Sequence, residues 1–163
     1  MDDQLYLAVL KYLSYRPRSE KEIRDYLQKK IAKIKDKNLV QNAETIITVV
    51  IAKLKKQRFI NDEEFTRMWV RSRTTFKPKG RRLIRIELQQ KGISTELINK
   101  VLEEPVEELV SDLDNAIQIL EKKRRKFEAM DPNERFNKAG SMLARRGFDL
   151  DTIRKSIDSV FGK

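Results

Sequence analysis

The sequence predicts an all-α fold of three tandem three-helix repeats that form an elongated, curved array. Three observations predict it. Of 163 residues only five are Gly and four are Pro, whereas sheets and barrels need many turn residues. Apolar residues recur at spacings of three and four along most of the chain, as the buried face of a helix requires. A segment near residue 80 is also similar to one near residue 135, which indicates an internal repeat.

The first three helices are predicted from periodicity and from one cap. Apolar spacing defines helices at about 5–13 and 43–57. The second of these is rich in Val and Ile, so a strand is the alternative, but its period is helical. Between them, Ser19 and Glu22 have the spacing of a capping box, which predicts that a helix begins there.

The middle of the chain predicts three further helices. Asp62 is expected to cap the first, and Phe65, Trp69 and Phe76 are expected on its apolar face. The turn Gly92-Ile93-Ser94 separates the next two helices, because Gly suits a left-handed C-terminal position and Ser suits an N-cap.

The last part of the chain predicts three more helices, which makes nine. A helix from about Leu109 is expected to end in the basic block Lys122–Lys126. Asp131 followed by Pro predicts the cap and first residue of the next helix. Gly147 then ends that helix, and Asp149 caps the final one.

The internal repeat sets the domain boundaries. Leu88 precedes Gly92 by four residues, as Leu143 precedes Gly147, and in both places an isoleucine follows the glycine by six residues. We therefore expect repeats at 1–62, 63–104 and 105–163. Each repeat is too small to bury much surface alone, so neighbours should stack into an extended array that suits a long partner.

Composition narrows the function. The chain carries 36 Lys and Arg against 25 Asp and Glu, a net charge of +11, and it has no Cys and no His. The absence of Cys and His excludes disulfides, zinc fingers and catalytic triads that use them. A basic chain without a membrane-length apolar run most often binds nucleic acid, although a merely solvated surface is the alternative. The acidic N-terminus predicts no signal peptide, and we expect a cytoplasmic protein.

Nothing in the sequence predicts catalysis. The carboxylate pairs, such as Glu63-Glu64, are adjacent on helices and point about 100° apart, so they are not placed to share a site. An Asp- and Glu-based magnesium nuclease remains an alternative without supporting spacing. We expect no enzyme, no cofactor and no metal site.

The strongest candidate site is a basic segment in the middle of the chain. Residues 66–91 contain nine basic residues and one acidic residue, Glu87, which gives a net charge of +8. Such a segment is suited to bind a polyphosphate or an acidic protein groove. An ordinary solvent-exposed helix face is the alternative, but such a face usually carries acidic residues at helical spacing from its cations, and few are found here. The candidate contacts are Arg71, Arg73, Lys77, Lys79, Arg81, Arg82, Arg85 and Lys91.

Two smaller basic clusters lie at predicted helix ends. Arg145 and Arg146 precede Gly147, and they are kept as candidate contacts. The block Lys122–Lys126 is similar. Cations at a helix C-terminus also favour the helix dipole, so a structural role is the alternative for both clusters.

Five ordered stretches, covering most of residues 5–161, carry a family resemblance. They are Arg16-Pro17-Arg18-Ser19-Glu20-Lys21-Glu22-Ile23, Phe59-Ile60-Asn61-Asp62-Glu63-Glu64-Phe65, Trp69-Val70-Arg71-Ser72-Arg73 with Lys77-Pro78-Lys79-Gly80, Glu87-Leu88 with Lys91-Gly92-Ile93, and Arg145-Arg146-Gly147-Phe148 with Ile153. Together they resemble the RecX regulatory-protein family, whose members modulate the RecA recombinase. Two departures stand out: Asn61 replaces an Asp, and residues 31–42 lack the family's glycine turn, so we expect the second helix to run long.

The resemblance implies a partner and a process. It implies three tandem three-helix repeats that dock along a RecA–DNA filament, with single- and double-stranded DNA as the nucleic acid, and that inhibit or remodel strand exchange and ATP hydrolysis. Recombinational DNA repair and the SOS response are the implied setting. A monomer without a membrane partner is expected. The alternative is a stand-alone DNA-binding regulator that acts without RecA, since the short helix pairs are also typical of helix-turn-helix proteins.

Overall fold

The computed structural model describes residues 2–34, 40–104 and 111–162. Within these ranges the chain forms ten helices and no strand. The helices are α1 (Asp2–Leu13), α2 (Glu20–Ile31), α3 (Ala43–Lys56), α4 (Asp62–Thr75), α5 (Arg81–Gln90), α6 (Thr95–Glu103), α7 (Asp112–Glu121), α8 (Arg124–Glu128), α9 (Pro132–Arg145) and α10 (Leu150–Phe161). The all-α class is therefore confirmed.

Local capping signals fix several of these helix ends. Ser19 and Glu22 form the predicted capping box at the start of α2. Asp131 accepts hydrogen bonds from two backbone N–H groups of α9, and Asp149 accepts one from Thr152 in α10. Gly92 and Gly147 have φ angles of +77° and +86°, so both occupy the left-handed region as predicted.

Three predictions for α2 and α4 were wrong. Asp62 does not cap α4, because the side chain of Asn61 accepts the hydrogen bonds from Glu63 and Glu64 instead. Phe76 lies beyond the last residue of α4 and is 80% exposed, so it is not on the apolar face. The second helix does not run long: α2 ends at Ile31, where a right-handed turn closes it without glycine.

The short helix α8 is an addition to the nine predicted helices. The long helix predicted before it ends at Glu121, and α8 then takes up most of the basic block. Phe127 is 3% exposed, and the burial of its side chain stabilises α8 within a run of charged residues. The predicted start of α7 near Leu109 lies outside the described residues, and within them Ser111 caps α7.

The chain divides into two compact units, of which the first comprises Met1–Thr66 with Gln89–Leu97. In this unit α1, α2 and α3 pack against one another. Their apolar faces form a core that also includes a residue of the following loop. Its buried members are Leu5, Val9, Ile23, Leu27, Ile31, Ile47, Val50, Ile51, Leu54 and Ile60.

The second unit comprises Arg67–Leu88 with Ile98–Lys163. Here α10 packs against both α7 and α9. The core of this part contains Ala116, Ile119, Leu120, Phe127, Ala139, Leu143, Phe148, Ile153, Ile157 and Val160. None of the helices in the described ranges is both long and apolar enough to cross a bilayer.

Candidate nucleic-acid interface

Glu87, the single acidic residue of the basic segment, binds three other side chains of that segment. Glu87 on α5 accepts hydrogen bonds from the indole Nε1 of Trp69 at 2.9 Å and from Nε of Arg73 at 2.8 Å. Lys79 forms an ion pair with the same carboxylate. Burial alone would raise the pKa of Glu87, but the hydrogen bonds from Lys79, Arg73 and Trp69 outweigh burial and lower it.

Trp69 is therefore not the core residue that the sequence predicted. Its indole is only half-buried, with one edge bonded to Glu87. The guanidinium carbon of Arg73 lies 4.3 Å from the ring centroid, a distance at which cation–π attraction operates. Phe65 is buried, as predicted for this apolar face, and so are Ile84 and Leu88 of α5.

Other cations of the segment also have partners in the second unit. Arg85 donates a hydrogen bond to the side-chain oxygen of Asn99 on α6. Arg67 forms an ion pair with Glu104, in which Nη2 and Oε1 are 2.8 Å apart. The basic segment contains one acidic residue, and the folded chain supplies further partners from outside the segment.

Four predicted contact residues remain exposed. Arg71 lies on α4, Lys77 follows that helix, and Arg81 and Arg82 begin α5. No ion pair of Lys77, Arg81 or Arg82 is found within the described part of the chain. The predicted set of eight thus contains four exposed cations and four less exposed cations that other side chains bind.

Lys91 belongs to the held group, in the first unit. Its ammonium lies 2.9 Å from Glu22, whose carboxylate also pairs with Arg16 at 2.7 Å. Burial alone would raise the pKa of Glu22, but hydrogen bonds from Arg16, Lys91 and the backbone of Ser19 lower it to about 2. The backbone of Lys91 is also bound, because the hydroxyl of Ser19 donates a hydrogen bond to its carbonyl at 2.7 Å.

Arg145 and Arg146 have different surroundings. Arg145 is exposed, whereas Arg146 donates from Nη1 to the carbonyl of Pro78 at 3.3 Å. The carbonyl of Arg146 accepts a hydrogen bond from the backbone N–H of Gly80 at 2.9 Å. Arg146 thus joins the end of α9 to the start of α5 within the second unit.

Sequence reasoning missed the partners that hold these cations. Glu87 binds Lys79 and Arg73, which precede it by 8 and 14 residues. Asn99 binds Arg85 across 14 residues, and Glu22 binds Lys91 across 69. The only available signal for Glu87 was its isolation as one acid among nine bases. Within the described residues, no three acidic side chains are grouped so that they could hold a metal ion.

The fold and these side chains define a helical protein with exposed cations in its second unit. Family models for the first, second and third three-helix domains of RecX match residues 6–31, 61–102 and 111–157. The chain belongs to the RecX family. The predicted organisation as three tandem three-helix repeats is thereby confirmed.

Individual relatives agree with this assignment. "Regulatory protein RecX" of Bacillus cytotoxicus is 34% identical over 155 residues, and that of Bacillus mycoides is 31% identical; each match covers 95% of this chain and 53% of the relative. The chain thus spans about half the length of the curated relatives it matches. The crystal structure of RecX from Lactobacillus salivarius matches with a TM-score of 0.76 at 26% identity, over 98% of this chain and 96% of the other. A second crystal structure, titled regulatory protein RecX, matches with a TM-score of 0.71 at 26% identity, over 96% and 71% of the two chains.

Proposed function

We propose that this protein binds the RecA–DNA filament and inhibits RecA's ATP hydrolysis and strand exchange, as a regulator of recombinational DNA repair. The observation that carries the proposal is the start of α5. Two exposed arginines, Arg81 and Arg82, occupy its first turn, where no acidic residue is found.

Two arginines in this position do not help the helix. The N-terminus of a helix carries partial positive charge, so each cation there is unfavourable by about 0.3–1 kcal/mol. Seven other helices, α2, α3, α4, α6, α7, α9 and α10, carry an acidic residue in the first turn. A role in binding explains arginines that helix stability does not.

The proposed contact surface lies in the second unit and comprises nine of the ten predicted cations, with different roles; Lys91 is a separate contact in the first unit. Arg71, Lys77, Arg81, Arg82 and Arg145 are exposed and would meet DNA phosphates or acidic RecA side chains. Arg73, Lys79, Arg85, Lys91 and Arg146 are held by other groups and would contribute positive potential and shape. The repeat boundaries 1–62, 63–104 and 105–163, the curved array, the monomeric state and the cytoplasmic location also stay predictions.

The test is RecA's single-strand-dependent ATP hydrolysis, measured at physiological salt with increasing amounts of this protein. RecA from the same organism is used. The natural chain should lower the rate at stoichiometric or lower amounts. The double variant Arg81→Ala/Arg82→Ala should lose most of this inhibition. Its melting temperature should change little, because both charges oppose the helix dipole while that of Arg81 also attracts the Asp112 carboxylate.

A matched control separates a specific surface from net charge. Arg154 and Lys155 are exposed on α10, so Arg154→Ala/Lys155→Ala removes the same charge elsewhere in the second unit. Inhibition lost equally in both double variants would contradict the assignment to α5. An unaffected ATP hydrolysis with DNA binding intact would instead favour a DNA-binding regulator that acts without RecA.

A further inference from the structure

A second cationic surface lies in the second unit, between the short helix α8 and the longer helix α9. It is a groove to which α8 contributes Lys126 and α9 contributes Lys138 and Arg145. All three cations are exposed. The sequence placed Lys126 and Arg145 in separate clusters, and only the fold brings them to one groove.

The groove has the composition of an anion site. No carboxylate is among its lining residues within the described part of the chain. Its lining also includes Phe127, which is 3% exposed, and the neutral donors Asn137 and Ser141. Three cations in a groove with an apolar lining residue attract an anion more strongly than the same charges spread over open surface, because the low-dielectric wall reduces screening.

The donors on α9 follow a line. Lys138, Ser141 and Arg145 stand at positions i, i+3 and i+7, so they share one face of the helix. Seven residues of helix span about 10.5 Å. A row of donors of this length fits consecutive phosphates of a nucleic-acid strand better than a single compact anion.

A groove in the first unit shows that such a composition is not general in this protein. That groove combines Lys55 and Arg58 with three carboxylates, those of Glu20, Asp62 and Glu64. Its three carboxylates outnumber its two cations, and Lys55 already pairs with Glu20. It offers no net attraction for a polyanion.

Structural roles do not account for the groove at α9. The position of Arg145 in the last turn suits the helix dipole, but Lys138 lies mid-helix. Lys138 pairs with Glu134 one turn earlier, and both side chains are about half exposed. Exposed pairs of this kind contribute about 0.3–0.5 kcal/mol, so a phosphate readily replaces the carboxylate as partner.

We propose that this groove binds the phosphate backbone of DNA, so that Arg145, already one of the proposed contacts, acts there together with Lys138. Lys138 and Arg145 each neutralise one phosphate, and Ser141 and Asn137 donate hydrogen bonds between them. The contact is independent of base sequence, since no base edge is required. The proposal rests on the proposed function only in taking DNA as a partner.

The test compares two double variants in binding single-stranded DNA over a range of salt concentrations. Lys138→Ala/Arg145→Ala removes the two groove cations. Arg154→Ala/Lys155→Ala is the control, since Lys155 also loses a one-turn pair, with Asp151. Each lost phosphate contact should reduce the slope of log K against log salt by about 0.7, so the groove variant should lose about 1.4 in slope while the control keeps the natural value.

Each outcome decides the proposal. A smaller slope of log K against log salt in the groove variant alone, with an unchanged melting temperature, supports the proposal. Equal slopes in groove variant and control, or no DNA binding by the natural chain, overturn it. The proposal is also overturned if the groove variant binds DNA with the natural salt dependence but inhibits RecA less. In that case the groove binds an acidic protein surface. If the natural chain leaves RecA unaffected but the slope loss is found, the groove stands and the proposed function fails.

Discussion

Asp112 accepts a hydrogen bond from the backbone N–H of Arg81 at 2.9 Å, so the first residue of α7 caps the start of α5 within the second unit. The first unit contains the same arrangement, in which Asp62 accepts from the backbone N–H of Glu20 at 2.8 Å. In both cases the Asp that begins a helix, α4 or α7, accepts from the first residue of an earlier helix, α2 or α5. At α5 this carboxylate also stands close to a helix start that carries two arginines.

Two replacements of Asp112 should distinguish the effect of its hydrogen bond on stability from the effect of its charge. Burial raises the pKa of Asp112, although the N–H and charge of Arg81 oppose this. Asp112→Ala removes the acceptor and should lower the free energy of unfolding by about 1 kcal/mol. Asp112→Asn keeps an acceptor oxygen without the buried charge, so at pH 7 it should be at least as stable as the natural protein.

Urea unfolding of both variants between pH 3 and pH 7 checks this prediction. Since the folded pKa is raised, the natural protein loses stability from this group as pH rises through the normal pKa and then the raised one. The advantage of Asp112→Asn should therefore disappear at low pH. Equal destabilisation by Ala and Asn at every pH would mean that the hydrogen bond contributes nothing.

Two glycines of α9 and its following turn should respond oppositely to alanine. A Cβ on Gly147 would lie 2.3 Å from Cβ of Leu83 and 2.8 Å from its backbone nitrogen, and φ is already +86°. Strain and overpacking together predict a loss of about 2–4 kcal/mol in Gly147→Ala. A Cβ on Gly140 would meet only Ile153 at 3.5 Å, so Gly140→Ala should gain about 0.5–1 kcal/mol.

The melting temperatures of the two variants, measured together with that of the natural protein, test these opposite changes in stability. They introduce the same methyl group seven residues apart, so composition and net charge are matched. A Gly147→Ala variant as stable as the natural protein would show that the end of α9 does not need its close approach to α5. A destabilised Gly140→Ala variant would contradict the ordinary contact distance at that position.

The sequence predicts well those features whose signals are adjacent in the chain. The caps at Ser19, Asp131 and Asp149 each act within three residues, and the left-handed turns at Gly92 and Gly147 depend on glycine itself. These local rules, with the helical period, are enough to predict the repeats.

Features that depend on contacts between distant helices could not be predicted. Glu87 is bound by Trp69 eighteen residues earlier, and Asp112 caps a helix thirty-one residues earlier. The α7–α8 break also has no local signal, because the residues around Lys123 all favour helix. The number of cations was therefore clear from sequence, but which of them are held by other side chains was not.

Acid should destabilise the first unit through Glu22. Its pKa is about 2 in the folded protein against an ordinary value of 4.5, so the stability it supplies is complete above pH 4.5 and is lost as pH falls toward 2. We expect a loss on the order of 2 kcal/mol over this range. Unfolding of the natural protein and Glu22→Gln should show it, with a flatter profile for the variant; parallel profiles would contradict the prediction.

Glu87 holds two cations of the proposed contact surface, which leads to a prediction opposite in sign to the arginine variants. Glu87→Gln leaves the size of the side chain almost unchanged but removes its charge, so Arg73 and Lys79 become available to phosphate. The cost is stability, since hydrogen bonds to a charged group contribute about 1.5–3 kcal/mol.

Glu87→Gln should therefore bind single-stranded DNA more tightly, with a salt dependence steeper by up to about 1.4 in slope, while its melting temperature falls. Trp69, the only tryptophan, donates to Glu87, so its fluorescence reports whether the local structure persists. Glu121→Gln is the control, because Glu121 is an exposed partner of Arg124 on another part of the second unit. Equal gains in both variants would mean that net charge alone governs affinity. A gain confined to Glu87→Gln would mean that DNA phosphates compete with this carboxylate for Arg73 and Lys79.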